Sequence, residues 1–522
     1  MEGGPVVVGI ATPDVANYGD LLFPLITAQE VARRVAGVAY LPFGPVGLDD
    51  ARAGCFGLGP WSESRAAEVL RLADLVLIGG GEIVSGDRAG LGRFYGLHAS
   101  DASEVAVDRW FVDPFEAPQP EGPPVVWHVV GVPALDADMR ARVRAAMEGA
   151  AMVVVRDEAS SLRLVEAGVP DALVVPDLAW LMERVWPAEE LARRRADLVR
   201  AAALPAGEYL VLQGNGTMAP FGEELVARLS GRFGGIPLVA IETSPCHEDE
   251  RFVRSVLDAA PQARAFEAGS AEDLMAVIAG CTAHLGVSLH GSLTATVHGR
   301  PLVIFDPSGG HEKLVAVAAQ IGDPALVTAT PAEAAARLHA EHALVDEGGR
   351  LDRRNVVDAA AARLDDYFDR LAGLVVARPD RRPLELVDRS EWVHAGLLHP
   401  PRPVGHAVPE TVVPGLVRPG PLTPDAQDAV AARARLGAEA RWSRAWTDEQ
   451  DVARLTGEVQ DLRGALEHVE SVATQAVQQA DELVLRLEST EAELARVRAA
   501  ITKVLRRPWF RLTRTPRDLR RL

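Results

Sequence analysis

Short β-branched runs alternate with stretches of helical apolar spacing from residue 5 to about residue 375. The runs at 6–10, 75–78, 125–130, 152–155, 173–175, 209–212, 238–241, 284–287 and 302–305 predict strands. Between them, 22–35, 66–72, 139–147, 160–167, 223–232 and 249–259 carry their apolar residues on one helical face. Strand–helix alternation with glycine-rich strand exits predicts an α/β fold of parallel, doubly wound sheets. A single sheet of that many strands is uncommon, so the pattern divides near 185–205, where an Arg-rich surface helix over 189–203 ends at Leu204-Pro205. The expectation is two Rossmann-like domains, 1–185 and 205–377, facing a cleft.

The pattern then changes. Residues 378–425 hold ten prolines with little periodicity and read as an extended linker. From Val452 to Val504 apolar or small residues recur at alternating steps of three and four, through Leu455, Val459, Leu462, Leu466 and on to Leu494, Val497 and Ile501. More than seven heptads in one register predict a coiled coil over 448–504, pairing the chain as a homodimer. A helix docked on the body is the competing reading. Pro508 ends the helix, and 505–522 form a basic tail with Trp509, Phe510, Leu512 and Leu519 interleaved.

Composition narrows the class. The 522 residues are 48% hydrophobic and 24% charged, as in globular proteins, and no apolar run nears the ~20 residues that cross a bilayer. The first residues lack the basic start and long apolar stretch of a secretory signal. Cys55, Cys246 and Cys281 are too few and too scattered for a disulfide framework or a metal site, which fits a cytoplasmic protein. The net charge of −19 disfavours nucleic acid as a partner, yet 503–522 hold eight Lys/Arg against one acid. Arginines beside aromatic rings suit an anionic membrane surface, so a peripheral place on the inner face of the membrane is expected for that tail.

Four motifs could carry chemistry. Ala16-Asn17-Tyr18-Gly19-Asp20 follows the first strand, where Asp20 reads first as a helix cap and second as part of an anion site. Gly79-Gly80-Gly81 ends another strand and can form an anion-sized concavity, although the spacing is neither a dinucleotide fingerprint nor a P-loop. Arg156-Asp157 stands at a strand's carboxyl end, with Pro176-Asp177 further on; the arginine fork suits a carboxylate or phosphate, and an Arg–Asp pair fixing the next helix is the alternative. Ser288-Leu289-His290-Gly291-Ser292 crowds a helix start near the expected cleft, and His284, His290 and His298 share no metal-ligand spacing with a carboxylate.

In this order, Asn-x-Gly-Asp, the strand into Gly-Gly-Gly, Arg-Asp-x-x-Ser with Pro-Asp downstream, and Leu-His-Gly-Ser resemble the polysaccharide pyruvyltransferase family over about 6–310. The resemblance implies a GT-B-like pair of domains, phosphoenolpyruvate as donor, no cofactor, and a ketal-linked pyruvate on a glycan or lipid-linked sugar of a cell-surface polysaccharide. It implies that Arg156 and His290 are donor-binding and catalytic residues. Asp20 joins them as a catalytic candidate, with Asn17, Gly19, Gly79, Gly80, Gly81, Ser288, Gly291 and Ser292 around the donor. Many members carry Arg two residues before the His; here that position is Ser288. The chemistry needs a general acid at the donor's methylene, for which a histidine is suited, and a carboxylate to accept a hydroxyl proton. Asp20, Asp157 and Asp177 all qualify for the second task. The alternatives are a GT-B glycosyltransferase using a nucleotide-sugar and an inactive relative serving as a coiled-coil scaffold.

Overall fold

The computed structural model describes residues 4–15, 17–45, 55–59, 61–84, 108–112, 122–244, 247–309, 311–345, 351–377, 414, 416, 490 and 493–503. The chain divides into two compact units, Met1–Gly437 and Ala438–Leu522.

The first unit opens with β1 (Val6–Ile10), α1 (Tyr18–Ala32), β2 (Ala39–Gly44), β3 (Phe56–Gly57), α2 (Glu63–Leu72) and β4 (Leu75–Gly81). There follow α3 (Arg109–Val112), β5 (Val125–Val130), α4 (Ala137–Met147), β6 (Met152–Val155), α5 (Glu158–Ala167) and β7 (Leu173–Val174). A 3₁₀ helix (Leu178–Arg184) and α6 (Ala188–Arg200) lead to β8 (Leu210–Gln213), α7 (Gly222–Phe233), β9 (Leu238–Ile241), α8 (Asp249–Ala259), β10 (Arg264–Phe266) and α9 (Ala271–Ala279). The unit continues through β11 (Ala283–Gly286), α10 (Leu289–Val297), β12 (Leu302–Phe305), α11 (Glu312–Ile321), β13 (Val327–Thr328), α12 (Pro331–His342) and α13 (Arg354–Ala372). Among the described residues the strands make two sheets, ordered β3-β2-β1-β4-β5-β6-β7 and β10-β9-β8-β11-β12-β13, with every pairing parallel. Each sheet reverses its order once, between β1 and β4 and between β8 and β11. Such switch points are where open α/β sheets bind ligands. The expected α/β fold with parallel sheets is therefore present.

Strand alternation sorts the side chains into three cores. Val6, Val8 and Ile10 point to an outer core of the first sheet, and Val7 points to a shared inner one. In the second sheet Leu210 and Leu212 face outward and Val211 inward. The inner core continues from one sheet to the other through α1, the 3₁₀ helix, α9, α10 and α13. Strands buried on both faces read as continuous apolar runs, which made β1, β5, β6, β9 and β12 legible at their observed bounds.

Polar bonds reinforce the seam. Arg184 bridges Asp365 at 2.8 Å and the buried Glu30 at 2.9 Å, while Arg34 reaches Glu30 at 2.7 Å and Asp365 at 2.6 Å. His128 bonds Thr27 through Nε2 at 2.9 Å and Tyr367 through Nδ1 at 2.5 Å, and burial holds it neutral, down to about 3. Helix α13 thus returns from the end of the second sheet to the helices of the first.

Leu416 pairs with Tyr40 in an isolated parallel bridge, so one point of the expected linker lies along the edge of the first sheet. The rest of the linker, most of the expected coiled coil and the tail after Lys503 lie outside the described residues. In the second unit, 493–503 are helical, with Leu494, Val497 and Ile501 more than half exposed. Among the described residues no helix is long and apolar enough to cross a membrane.

Candidate functional site

The carboxyl ends of the two sheets face each other where their switch points meet. Helix α1 starts at Tyr18, earlier than its apolar stripe predicts, and Asn17 caps it by accepting the Gly19 N–H at 3.4 Å. Asp20 is therefore not the cap. It lies in the first turn, beside Thr12 and Asn17, which donate to it. The helix start is tied to the second sheet: Tyr18 N–H donates to the Thr243 carbonyl at 2.9 Å, and its hydroxyl meets Thr294 at 2.8 Å.

Arg156 follows β6 and is buried. Its guanidinium touches Glu82 at 3.1 Å, Asp157 at 3.5 Å and Asp177 at 4.0 Å. Asp177 caps the 3₁₀ helix by accepting the Ala179 N–H at 2.9 Å, which leaves its second oxygen 3.7 Å from His290 Nε2. That separation is longer than a direct hydrogen bond. His290 sits in the first turn of α10, ringed by Phe23 edge-on at 5.3 Å. A Cβ on Gly19 would overlap the His290 ring, so only glycine lets the imidazole lie against α1. Arg156, Asp177, His290 and Asp20 thus converge from four elements.

Electrostatics separate the three candidate carboxylates. Burial pushes Asp20 up to about 6, against the opposing pull of His290, Thr12, Arg156 and Asn17. Burial would also raise Asp177, but His290, Arg156 and the Ala179 amide outweigh it and hold that carboxyl below its usual range. Asp157 caps α5 by accepting the Ser160 N–H at 2.7 Å while contacting Arg156. The reading of the Arg156–Asp157 pair as a contact that fixes the next helix is therefore present.

The glycine run behaves differently from an open anion loop. Gly80 and Gly81 have φ of +90° and +95°, a backbone that demands glycine. Gly79 packs under the His128 carbonyl, Gly80 under Phe23, and Gly81 against Asp20, where a Cβ would lie 2.8 Å from Oδ1. On the neighbouring strand Val129 holds φ +52° at a register shift. That is a strained value for a β-branched residue, of the kind that gathers at functional sites.

Ser288 uses its hydroxyl to cap α10 through the Gly291 N–H at 3.2 Å, and Ser292 donates back to the Ser288 carbonyl at 2.9 Å. Neither supplies a positive charge. Besides Arg156, positive charge comes from residues that the motif reading missed, Arg163 and Lys313. A cleft pocket of about 280 Å³ is lined by Arg156, Arg163, His311 and Lys313, with Glu82, Asp157 and Glu312 on its walls. Arg163 of α5 pairs with Glu312 of α11, joining the layers of the two sheets. His311 and Lys313 follow β12, so a strand-exit rule applied there would have found them. A larger groove, lined by 150–153 and 168–173, lies at the opposite, amino-terminal ends of β6 and β7. Among the described residues no group of three His, Cys, Asp or Glu side chains is placed to hold a metal ion.

The family model described as polysaccharide pyruvyl transferase matches residues 17–309. No curated protein matches the chain. Solved structures with similar backbones include Anabaena HepE in complex with UDP and glucose, at 13% identity, TM-score 0.43, and coverage of 71% of this chain and 98% of that one. The UDP-GlcNAc 2-epimerase of Neisseria meningitidis bound to UDP-GlcNAc gives 10% identity, TM-score 0.40, and coverage of 71% and 94%. A glycosyltransferase of Rickettsia africae gives 8%, 0.43, 71% and 96%. With TM-scores this low, nothing about the chemistry of this chain follows from them.

Proposed function

The chain belongs to the polysaccharide pyruvyl transferase family, and from that premise we propose that it transfers pyruvate from phosphoenolpyruvate to two hydroxyls of a sugar, as a ketal. The observation that carries this reading is the convergence of Arg156, the His290–Asp177 pair and the raised carboxyl of Asp20 at the meeting of the two switch points.

The donor presents a carboxylate and a phosphate on one enol carbon. Arg156, Arg163 and Lys313 line a pocket of about 280 Å³ and would have to release Glu82, Asp157 and Glu312 to hold such anions. His290 gives a proton to the donor's methylene, with Asp177 beside its Nε2 to orient the ring. A sugar hydroxyl attacks the resulting cation, and Asp20 takes its proton. A carboxyl near 6 is suited to that exchange at neutral pH. Asp157, spent on α5 and on Arg156, acts as a positioning residue. The scheme asks for no cofactor.

The acceptor belongs to the cell-surface polysaccharide class, free or lipid-linked. The heptads would pair two chains, and the basic tail would hold them beside an acceptor on an anionic membrane. The test is a thermal-shift panel on the full chain with phosphoenolpyruvate, UDP-sugars and GDP-sugars. Stabilisation by phosphoenolpyruvate alone is expected. Stabilisation by a nucleotide-sugar alone would make the protein a glycosyltransferase, and no response to any of them would favour a scaffold.

A further inference from the structure

We propose that His311, held by the buried Asp306, delivers the proton to the departing phosphate, as a second proton donor separate from His290. The inference rests on the pyruvyl-transfer reading.

The proton balance of that reaction motivates it. Phosphoenolpyruvate and a diol become a cyclic ketal and hydrogen phosphate. Both hydroxyl protons leave the sugar: one ends on the donor's C3 as methylene becomes methyl, the other on a phosphate oxygen. In the first half, C3 gains a proton, the first hydroxyl oxygen bonds to C2, and that hydroxyl's proton passes to a base. In the second half, the C2–O bond to phosphate breaks with its electron pair on the phosphate oxygen, which takes a proton from the donor at that end. The second hydroxyl oxygen then bonds to C2, and its proton recharges that donor. Two proton deliveries occur at opposite ends of one small molecule.

The cleft pocket that Arg156 lines holds a second imidazole–carboxylate pair. Asp306 directly follows β12 and is fully buried. Its Oδ1 accepts His311 Nδ1 at 2.9 Å and the Ser308 hydroxyl at 2.6 Å, and its Oδ2 accepts the His311 backbone N–H at 3.0 Å. Burial would raise this carboxyl, but the bonds from Ser308 and His311 prevail and bring it to about 2, so it stays charged. With Nδ1 committed to Asp306, the proton that the ring exchanges is on Nε2. The exposed ring lines the same pocket as Arg156, Arg163 and Lys313, with Glu82, Asp157 and Glu312 opposing their charge. His311 precedes α11, yet its side chain makes no capping bond to that helix. A purely structural loop would need only the backbone and Ser308 bonds to Asp306; the ring bond is additional.

The full chain and its His311→Gln variant would be titrated calorimetrically with phosphoenolpyruvate, inorganic phosphate and pyruvate, each in two buffers of different ionisation heat. The variant keeps the backbone bond to Asp306. The expected result is about tenfold weaker binding of the two phosphate ligands, as for a lost bond to a charged group. Their binding would also take up fewer protons, while pyruvate affinity stays within twofold. Unchanged phosphate affinity and proton uptake would overturn the proposal, as would equal weakening of all three ligands. If the wild-type chain binds neither phosphoenolpyruvate nor phosphate, the pyruvyl reading itself falls and the proposal with it. Should His311→Gln fail to fold, Asp306→Asn, which retains acceptor capacity for Ser308, gives the same readout.

Discussion

Asp20→Asn should stabilise this protein while disabling it, and the two effects share one cause. In the folded chain the Asp20 carboxyl rises from 3.8 to about 6, because burial disfavours its charged form more than His290 and Arg156 favour it. Unfolded, it ionises at its ordinary value. A raised acid contributes stability that is complete below the unfolded value and lost as pH climbs to the folded one. Above about 6 the loss is complete. The shift corresponds to roughly 3 kcal/mol, and solvent at the partly exposed carboxyl makes that a ceiling. Asparagine has nearly the shape of the protonated acid and carries no charge, so it escapes the loss. Thermal or urea unfolding of both proteins at pH 5 and pH 8 is the assay. The variant should be the more stable at pH 8, and its advantage should be smaller at pH 5 by roughly 1.4 kcal/mol. An advantage that does not change with pH, or a variant less stable at pH 8, would refute the electrostatic account of Asp20.

Other outcomes follow from the same geometry. Gly19→Ala should force the His290 ring back by more than an ångström, costing about 1–3 kcal/mol and roughly a hundredfold in rate, checked by melting and turnover; a normal rate would free His290 from α1. Arg156→Lys should weaken phosphoenolpyruvate binding by about tenfold or more, because a point charge cannot replace a fork that touches three carboxylates; affinity within twofold would remove Arg156 from the donor site. His290→Ala should lower turnover about 10²–10⁴-fold with little change in melting, and near-normal turnover would return it to a structural role. Deleting residues 438–522 should turn a sedimenting dimer into a monomer and release the chain from anionic vesicles; equal mass and equal pelleting would remove both roles from that unit.

The elements legible in the sequence were those with a simple period. Val6–Ile10 and Val125–Val130 are apolar on both faces and stand at their observed bounds. β2 was hidden because Pro42 and Gly44 interrupt Ala39–Gly44, and β10 because Arg264 and Ala265 lie exposed at a sheet edge. In α10 all nine residues are buried, so no polar face remains to give a helical period. The motifs found His290, Arg156 and Asp20 because short, unusual residue groups mark strand exits. They could not rank Asp20, Asp157 and Asp177, since that ranking depends on burial and on the charges of Arg156 and His290, which lie 21 to 270 residues away along the chain from Asp177 and Asp20. The Asp306–His311 pair is local, five residues apart after β12, and a strand-exit reading there would have found it; what the sequence hid is that α5 with Arg163 lines the same pocket, because that helix comes from the other sheet.

The central claim is that the donor carbon of phosphoenolpyruvate reaches a sugar. Phosphoenolpyruvate labelled with carbon-13 at C2, incubated with the full chain and a glycan extract from its own cells, tests it directly by nuclear magnetic resonance. The account predicts label in a ketal carbon attached to the glycan, formed with one inorganic phosphate for each ketal and absent with His290→Ala. Label that stays in phosphoenolpyruvate while a nucleotide-sugar in the same mixture is consumed would contradict it.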